Sequence, residues 1–470
     1  MKPEPDLVPT RTIDDSQELN LYEKREKIYA RHVEGLYQKI RLFTGWPLLM
    51  AYFITPWISW DGRQAILWDL PARKFYIFDW VFWPQDFMFL AWVLIIAAMG
   101  LFMVTNWLGR IWCGYTCPQT VWTAIFMWAE QLTEGSRIQR MKLDAAPWST
   151  DKALRKGTKH VLWIGVAFWT GLTFVGYFTP IRALLLDLLT ANAPLIAYAW
   201  TLFFTLATYI NAGWMREQVC KYMCPYARFQ SAMFDQDTLI VSYDPNRGEP
   251  RGPRKRSADH RAEGLGDCID CRVCVQVCPT GIDIRNGLQY ECIGCALCID
   301  GCNEIMDKMG YPRGLIRYTT LRALNGGTTK LLRPRPLGYA AVVLGMCAML
   351  AYGLWSRVPL ELDIIRDRSR LYETGVDGWI ENTYRLEILN MDQQPHRYRV
   401  SAEGIDQLQL RGPQEVEVAG GEAASVPVRL AVPPTGVVPG SSKVTFQVET
   451  LEDKPQRVSE PSRFIAPLPR

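Results

Sequence analysis

Histidine is scarce in this chain: 470 residues hold only His32, His160, His260 and His396, and these share no spacing. A histidine metal site, a haem held by paired imidazoles and an imidazole general base are left without support. Glycine is common but never forms a phosphate loop, Gly326-Gly327 included, and no dinucleotide fingerprint follows a predicted strand. With no flavin or nicotinamide site, any electrons the chain carries arrive from a partner or a quinol. No cysteine follows Cys347, which excludes a disulfide framework from the C-terminal region. The first 41 residues are polar and charged throughout, so no cleavable signal peptide is expected, and the first apolar stretch acts as the targeting signal. No nucleic acid is expected as a partner.

Cysteine is where the chemistry lies. Eight of the thirteen stand in two tandem runs, Cys268-x2-Cys271-x2-Cys274-x3-Cys278-Pro279 and Cys292-x2-Cys295-x2-Cys298-x3-Cys302. This is the spacing by which a chain wraps two 4Fe–4S clusters, which makes one-electron transfer the leading idea. Three cysteines in a short loop cap three corners of one cube, so the fourth ligand comes from the other run. One cluster is therefore expected on Cys268, Cys271, Cys274 and Cys302, and the other on Cys292, Cys295, Cys298 and Cys278. The competing reading is a pair of zinc knuckles, because CxxC pairs also bind zinc.

These runs sit in a membrane protein. Hydrophobic residues make up 49% of the chain and aromatics 12%, with 18 Trp, which is too apolar and too uneven for an ordinary soluble enzyme. Five stretches, 42–60, 87–107, 161–180, 193–215 and 337–355, carry no charge, and each is near the roughly 20 residues needed to cross a bilayer core. Trp57, Trp60, Trp107, Trp214 and Trp355 lie near their ends, where interfacial anchors belong. Residues 1–41 hold eight Lys or Arg, 108–159 eight and 216–336 eighteen, against three in 61–86 and one in 181–192. The positive-inside rule then places the N-terminus, residues 108–159 and the cysteine runs in the cytoplasm, and five spans put the C-terminus outside.

The uncharged stretch 111–129 would reverse this if it also spanned, but an internal repeat argues against it. Trp107-x5-Cys113-Gly-Tyr115-Thr-Cys117-Pro118 recurs as Trp214-x5-Cys220-Lys-Tyr222-Met-Cys224-Pro225, and Arg228, Asp235 and Asp237 follow the second copy. Tyr52-Phe53-Ile54-Thr55-Pro56 is echoed by Tyr177-Phe178-Thr179-Pro180. The chain reads as two parallel copies of helix, outer loop, helix and cysteine motif, with residues 119–132 an amphipathic helix on the membrane surface.

Proline after Cys117 and Cys224 suits the first residue of a helix, so both cysteines are expected at helix N-termini, where the dipole would lower a thiol pKa. Four such thiols, Cys113, Cys117, Cys220 and Cys224, form a candidate catalytic and copper-binding group, because soft thiolates favour Cu(I), zinc or iron–sulfur centres. Incidental buried cysteines or a redox disulfide are the alternatives. Methionines 99, 103, 215, 223 and 233 flank the motifs as possible thioether ligands or as packing. Cys347 reads as a small apolar residue within the last span. Residues 244–266 are rich in Pro, Gly and charge and read as a linker. After Trp355, alternating stretches such as Tyr384-Arg-Leu-Glu-Ile388 and 443–449, with Pro and Gly turns between them, suggest an immunoglobulin-like sandwich.

The order of motifs resembles the CcoG/FixG (RdxA-like) family of accessory proteins for cbb3-type cytochrome oxidase. Pro359-Leu-x-Leu-Asp363-x-x-Arg-Asp-Arg and Ile380-Glu-Asn-x-Tyr384 add to the likeness. The resemblance implies reduction of Cu(II) to Cu(I) for oxidase assembly, with Cys113, Cys117, Cys220 and Cys224 as the copper-associated thiols and the eight tandem cysteines as cluster ligands. A NapH-like quinol-linked relay and a redox-sensing scaffold are the alternatives. The expected fold class is a multi-domain membrane protein: an α-helical transmembrane bundle with an inserted two-cluster ferredoxin-like domain and a C-terminal all-β sandwich. Its expected parts are a cytoplasmic tail (1–41), a membrane domain (42–243), a linker (244–266), the cluster domain (267–336), a last span (337–355) and a periplasmic sandwich (356–470). Its expected place is the bacterial inner membrane. Expected partners are the bilayer, an unidentified electron donor, a copper chaperone or the oxidase assembly factors, and a second copy as a homodimer. A reporter active only outside the cytoplasm should work when fused after Ser356 and fail near Gly264; the reverse pattern would mean that 111–129 crosses the membrane.

Overall fold

The computed structural model describes residues 27–467, apart from 258–261, 263, 437, 453 and 454. The expected N-terminal tail is thus described only from Lys27, and His260 lies outside the described residues.

Among the described residues, nine of the helices organise the membrane and cysteine-rich parts: α1 Leu36–Ile54, α2 Phe87–Leu108, α3 Ile111–Tyr115, α4 Pro118–Glu134, α5 Thr150–Val175, α6 Leu195–Thr208, α7 Pro225–Met233, α8 Leu297–Met309 and α9 Pro334–Trp355. Their ends follow local chemistry. Ser149 caps α5 by accepting from the Lys152 amide at 3.2 Å. Proline opens α4, α7 and α9, and Gly109 and Gly135 close α2 and α4 at φ 60° and 85°.

Among the described residues three helices are long and apolar enough to cross a membrane: Pro84–Leu108, Leu195–Met215 and Pro334–Trp355. The other two expected stretches, 42–60 and 161–180, overlap α1 and α5 but run past their ends at Ile54 and Val175. Both helices begin well before the apolar run, so α1 includes Lys39 and Arg41, and α5 includes Asp151, Lys152, Arg155, Lys156 and Lys159. Apolar runs mark where lipid would lie, while backbone hydrogen bonding carries a helix past them. At Gly171 of α5 a Cβ would stand 2.7 Å from the Thr201 carbonyl oxygen of α6, so the missing side chain lets these two helices approach closely.

Helices α2 and α9 are antiparallel neighbours tied at both ends. Arg333 donates to the Asn106 carbonyl at 3.0 Å before α9 begins, and Arg357 donates to Asp86 at 3.0 Å after it ends. A 22-residue helix is about 33 Å long, close to the thickness of a bilayer core. The cysteine-rich domain lies at the first end of this pair and the strand-rich domain at the second.

Strands β1 Ile66–Asp69, β2 Lys74–Ile77 and β3 Trp80–Phe82 form a small sheet at that second end. It packs Val81, with Trp83 just beyond it, on Leu389 and Met391 of the C-terminal domain. Strands β4 Ile240–Tyr243 and β5 Ile316–Thr319 pair antiparallel and close the cysteine-rich domain. The stretch expected as a linker differs from that reading over residues 244–256. Its backbone follows the first cysteine loop, with Asp244 donating to the Leu315 carbonyl at 3.0 Å and Gly252 to the Cys268 carbonyl at 3.2 Å. Its backbone is held against the cysteine-rich domain while Arg251, Lys255 and Arg256 stay exposed.

The C-terminal domain is a two-sheet sandwich. Strands β6 Leu360–Arg366, β7 Ile380–Asn390, β8 His396–Glu403, β9 Gln409–Arg411, β10 Glu415–Val418, β11 Ala423–Val432, β12 Gly440–Thr450 and β13 Arg457–Ala466 build it. One sheet runs β9-β11-β7-β6, with the two-residue strand Glu373–Thr374 on β7, and the other runs β10-β8-β12-β13. Alternation along β7 and β12 points Tyr384, Leu386, Ile388, Val444, Phe446 and Val448 into the shared core. The buried Tyr384 hydroxyl donates to the Arg463 carbonyl at 2.9 Å, which satisfies its one polar atom.

Helix α1 is fixed at its start by the cysteine-rich domain. Asp300 of α8, 6% exposed, accepts from the Gln38 amide at 2.8 Å and the Tyr37 amide at 3.3 Å. Any Cβ on Gly35 would lie 2.2 Å from the Asp300 Cγ. Asp300→Ala should cost about 1–2 kcal/mol, the loss of a helix cap, and speed hydrogen exchange at the Tyr37 and Gln38 amides by about tenfold. Unchanged exchange there would contradict this capping role.

Candidate functional site

Both cysteine runs bend the backbone in the same way. Asp270 and Arg272 flank Cys271 at φ 53° and 55°, and Gly294 and Ala296 flank Cys295 at φ 66° and 60°. Left-handed geometry is costly for side-chain-bearing residues and persists where surroundings demand it. Here it turns two short loops inward, and the third cysteine of each run sits on the short helix that follows.

Two cavities result. One is lined by Cys268, Cys271, Cys274 and Cys302 together with Tyr243, Met306 and Leu315. The other is lined by Cys278, Cys292, Cys295 and Cys298, with Cys274 at the wall they share. The donor chemistry fits an iron–sulfur cube: four sulfurs per cavity in an apolar shell, each grouping taking its fourth member from the other run. Among the described residues no three His, Cys, Asp or Glu side chains converge tightly enough to hold a single metal ion. A cube is ligated at four separate corners and so needs a wider spacing than one ion. The outer cavity reaches the surface at Cys271, which is exposed, whereas Cys295 of the inner cavity is buried.

The CxxxCP motifs lie against the inner cavity. Cys117 and Cys224 stand immediately before Pro118 and Pro225 as the residues capping α4 and α7. Cys113 and Cys220 pack on the cluster of Val273, Val277, Ile293, Cys295 and Leu297. The repeats interlock here. The buried Gln230 of the second copy donates to the Cys113 sulfur at 3.5 Å, and Gln119 of the first copy donates to the Asn211 carbonyl at 2.9 Å. Tyr177 likewise donates to the Tyr52 carbonyl at 2.9 Å, joining the two Tyr-Phe-(x)-Thr-Pro echoes.

Gly114 makes the closest approach. Its Cα faces the Cys295 backbone so tightly that a Cβ would stand 2.8 Å from the Cys295 Cα and 2.9 Å from the Gly294 oxygen. The Gly114 carbonyl accepts from Arg41 at 3.0 Å. Tyr318 bridges the same seam, donating to the Gly294 carbonyl at 2.6 Å and lying 3.1 Å from the Tyr115 hydroxyl. Arg110, 6% exposed, spreads its guanidinium over the carbonyls of Cys292 at 3.3 Å, Tyr290 and Ala227. A buried cation thus stands between the inner loop and the thiol motifs.

The thiol pKa values run against the expected direction. Burial pushes Cys113 up to about 11 and Cys220 up to about 12, and the neighbouring thiols of the other motif cysteines add to the rise. Burial also raises Cys117, although the amides of Thr120 and Gln119 at the start of α4 pull it down. The helix terminus acts as expected but loses to desolvation. Cys113, Cys117 and Cys220 each lie close enough to another motif thiol for it to add to their rise.

Sequence reasoning passed over Arg110, Gly114, Gln230 and Asp300. The signal for Gly114 was present: the duplicated string differs between its cysteines, with Gly114 in one copy and Lys221 in the other. Glycine marks the copy that lies on the cysteine loop. Cys347 is exposed on α9, away from these contacts.

Residues 215–321 match the family described as "4Fe-4S dicluster domain", and residues 350–467 match "IG-like fold at C-terminal of FixG". The chain is 41% identical over 428 residues to the nitrogen fixation protein FixG of Rhizobium meliloti, covering 83% of this chain and 82% of that protein. It is 41% identical over 404 residues to protein RdxB of Cereibacter sphaeroides, covering 83% and 84%. Protein RdxA of the same organism is 38% identical over 450 residues, covering 92% and 95%.

Gly114→Ala forces two backbones apart and should cost about 1–3 kcal/mol, seen as a lower temperature for loss of the visible iron–sulfur absorption. Lys221→Ala, at the matching position of the second copy, should leave that temperature unchanged. Equal effects of the two substitutions would contradict the assigned contact.

Proposed function

This chain belongs to the FixG-like family of membrane iron–sulfur proteins, and on that premise we propose that it is a metalloreductase that passes single electrons to copper at the CxxxCP thiols. Two 4Fe–4S clusters would be held with crossed ligation: Cys268, Cys271, Cys274 and Cys302 for the outer, and Cys292, Cys295, Cys298 and Cys278 for the inner. When bound, they supply one-electron storage. The carrying observation is the approach of Gly114 to the Cys295 backbone, which sets Cys113 and Cys117 beside the inner cluster's loop. Electron tunnelling weakens exponentially with distance, so this adjacency selects the thiols as the terminus.

Copper is the substrate. Cu(II) gains one electron and becomes Cu(I), the ion better matched to thiolate ligands. No proton is needed for the electron step, while metal entry releases protons from thiols that burial keeps neutral. Cu(I) is satisfied by as few as two sulfurs, so one CxxxCP pair or a pair shared between repeats suffices. A potential difference of about 59 mV shifts a one-electron equilibrium tenfold, so a modest gap drives reduction far forward. Retention by thiolates follows, and release needs a receiving protein, which we assign to a copper chaperone or to assembly of a cbb3-type oxidase.

We place the clusters in the cytoplasm and the sandwich in the periplasm. The Lys and Arg distribution supports this, as does the attachment of the two domains to opposite ends of α2 and α9. Replacing Cys113, Cys117, Cys220 and Cys224 by Ser should abolish copper binding and cut the rate of Cu(II) reduction at least 100-fold, with the iron–sulfur absorption intact. Native-rate reduction by that variant would leave the motifs structural and remove the thiols from the mechanism.

A further inference from the structure

The chain has a way out for electrons but no flavin or nicotinamide motif to bring them in, and the outer cysteine loop shows where they arrive. Cys271 is exposed, and the adjacent Arg272 side chain is 71% exposed. The inner loop is covered instead: Cys292 and Cys295 meet Arg110 and Gly114, and Asp300 meets α1. Only the outer loop, of the two, offers a cluster ligand to a partner in solution.

The surface around it is basic and held in place. Residues 247–256 and 267–272 carry six Lys or Arg against three Asp or Glu. The acids are engaged within the fold: Asp267 pairs with Arg247 at 2.5 Å, Glu249 lies 3.7 Å from Arg251, and Asp270 pairs with Arg285. Arg254 anchors the strip by donating to the Gly266 carbonyl at 2.5 Å and to the Tyr311 hydroxyl at 3.1 Å. The next two residues, Lys255 and Arg256, are exposed. The strip is therefore a fixed cationic rim beside an exposed cluster cysteine.

We propose that this rim docks a small, acidic, soluble one-electron carrier, which reduces the outer cluster. The proposal rests on the iron–sulfur reading given above. The step balances simply: the reduced carrier loses one electron, the outer cluster gains it, and no bond or proton changes hands. Charge complementarity of this kind chiefly speeds encounter and fixes orientation, and it is weakened by salt. Anionic lipid headgroups are the other candidate for the rim. The carrier is favoured because the strip is joined to the outer loop that carries the exposed Cys271, Gly252 donating to the Cys268 carbonyl at 3.2 Å, while the contacts to the membrane helices are made from the inner loop.

The test uses the full chain in nanodiscs and a plant-type 2Fe–2S ferredoxin as the acidic probe, measuring both binding and the rate at which the reduced probe is oxidised. Binding should weaken at least tenfold between low and physiological ionic strength. Lys255→Glu with Arg256→Glu should lower affinity and rate at least tenfold, while iron content and reduction by dithionite stay at wild-type levels. Lys255→Arg with Arg256→Lys should restore both. Native affinity in the charge-reversed variant, or no dependence on salt, overturns the docking surface. So does affinity in phosphatidylglycerol nanodiscs that falls to the variant's level while phosphatidylcholine nanodiscs bind normally, because lipid then occupies the rim. A wild-type chain without iron or visible absorption overturns the iron–sulfur reading itself.

Discussion

A missing methyl group at Gly114 lets the first CxxxCP motif lie directly on the backbone of Cys295. The surrounding contacts depend on that approach. Arg110 reaches the Cys292 carbonyl from one side, Tyr318 ties Gly294 toward Tyr115 from the other, and Arg41 holds the Gly114 carbonyl. The Arg110 and Tyr318 bonds cross the seam between the two backbones, and the Arg41 bond fixes Gly114 on its own side of it. Cys113 and Cys220 of the membrane repeats thereby pack against the ferredoxin-like loop, and Arg110 supplies a buried positive charge at the seam. Positive charge there favours thiolate and the reduced, more negative state of a neighbouring cluster.

The two tandem cysteine runs were legible from their spacing along the chain, and the same eight cysteines line the two cavities. The sandwich was legible from period-two alternation ending in Pro and Gly turns. Tertiary approach was not legible. Nothing local in Gly114, Arg110 or Gln230 announces a partner more than a hundred residues away, and only the Gly/Lys difference between repeats hinted at one. The stretch 244–256 misled for a related reason. Proline, glycine and arginine read as solvated linker when counted, yet they serve equally well for a backbone laid along a cysteine loop, where Arg254 and Arg247 find carbonyl and carboxylate partners. Apolar runs located α1 and α5 but not where those helices begin, because charge does not interrupt helical hydrogen bonding.

Opposing influences act on the thiols of Cys113, Cys117 and Cys220, and burial outweighs the rest. Helix N-termini do lower Cys117, but burial in an apolar shell raises it more, and crowding by the partner thiols raises Cys113 and Cys220 further. Neutral thiols packed near one another resist ionisation, because each new charge would be both desolvated and close to its neighbours.

Freeze-quench electron paramagnetic resonance on anaerobically pre-reduced protein, mixed with one equivalent of Cu(II), tests the central claim most directly. The account predicts that the Cu(II) signal disappears and that one reduced-cluster spin is lost for each Cu(II) spin, with no new disulfide among Cys113, Cys117, Cys220 and Cys224. Persistence of both signals side by side would contradict it, as would loss of Cu(II) with the cluster signal intact.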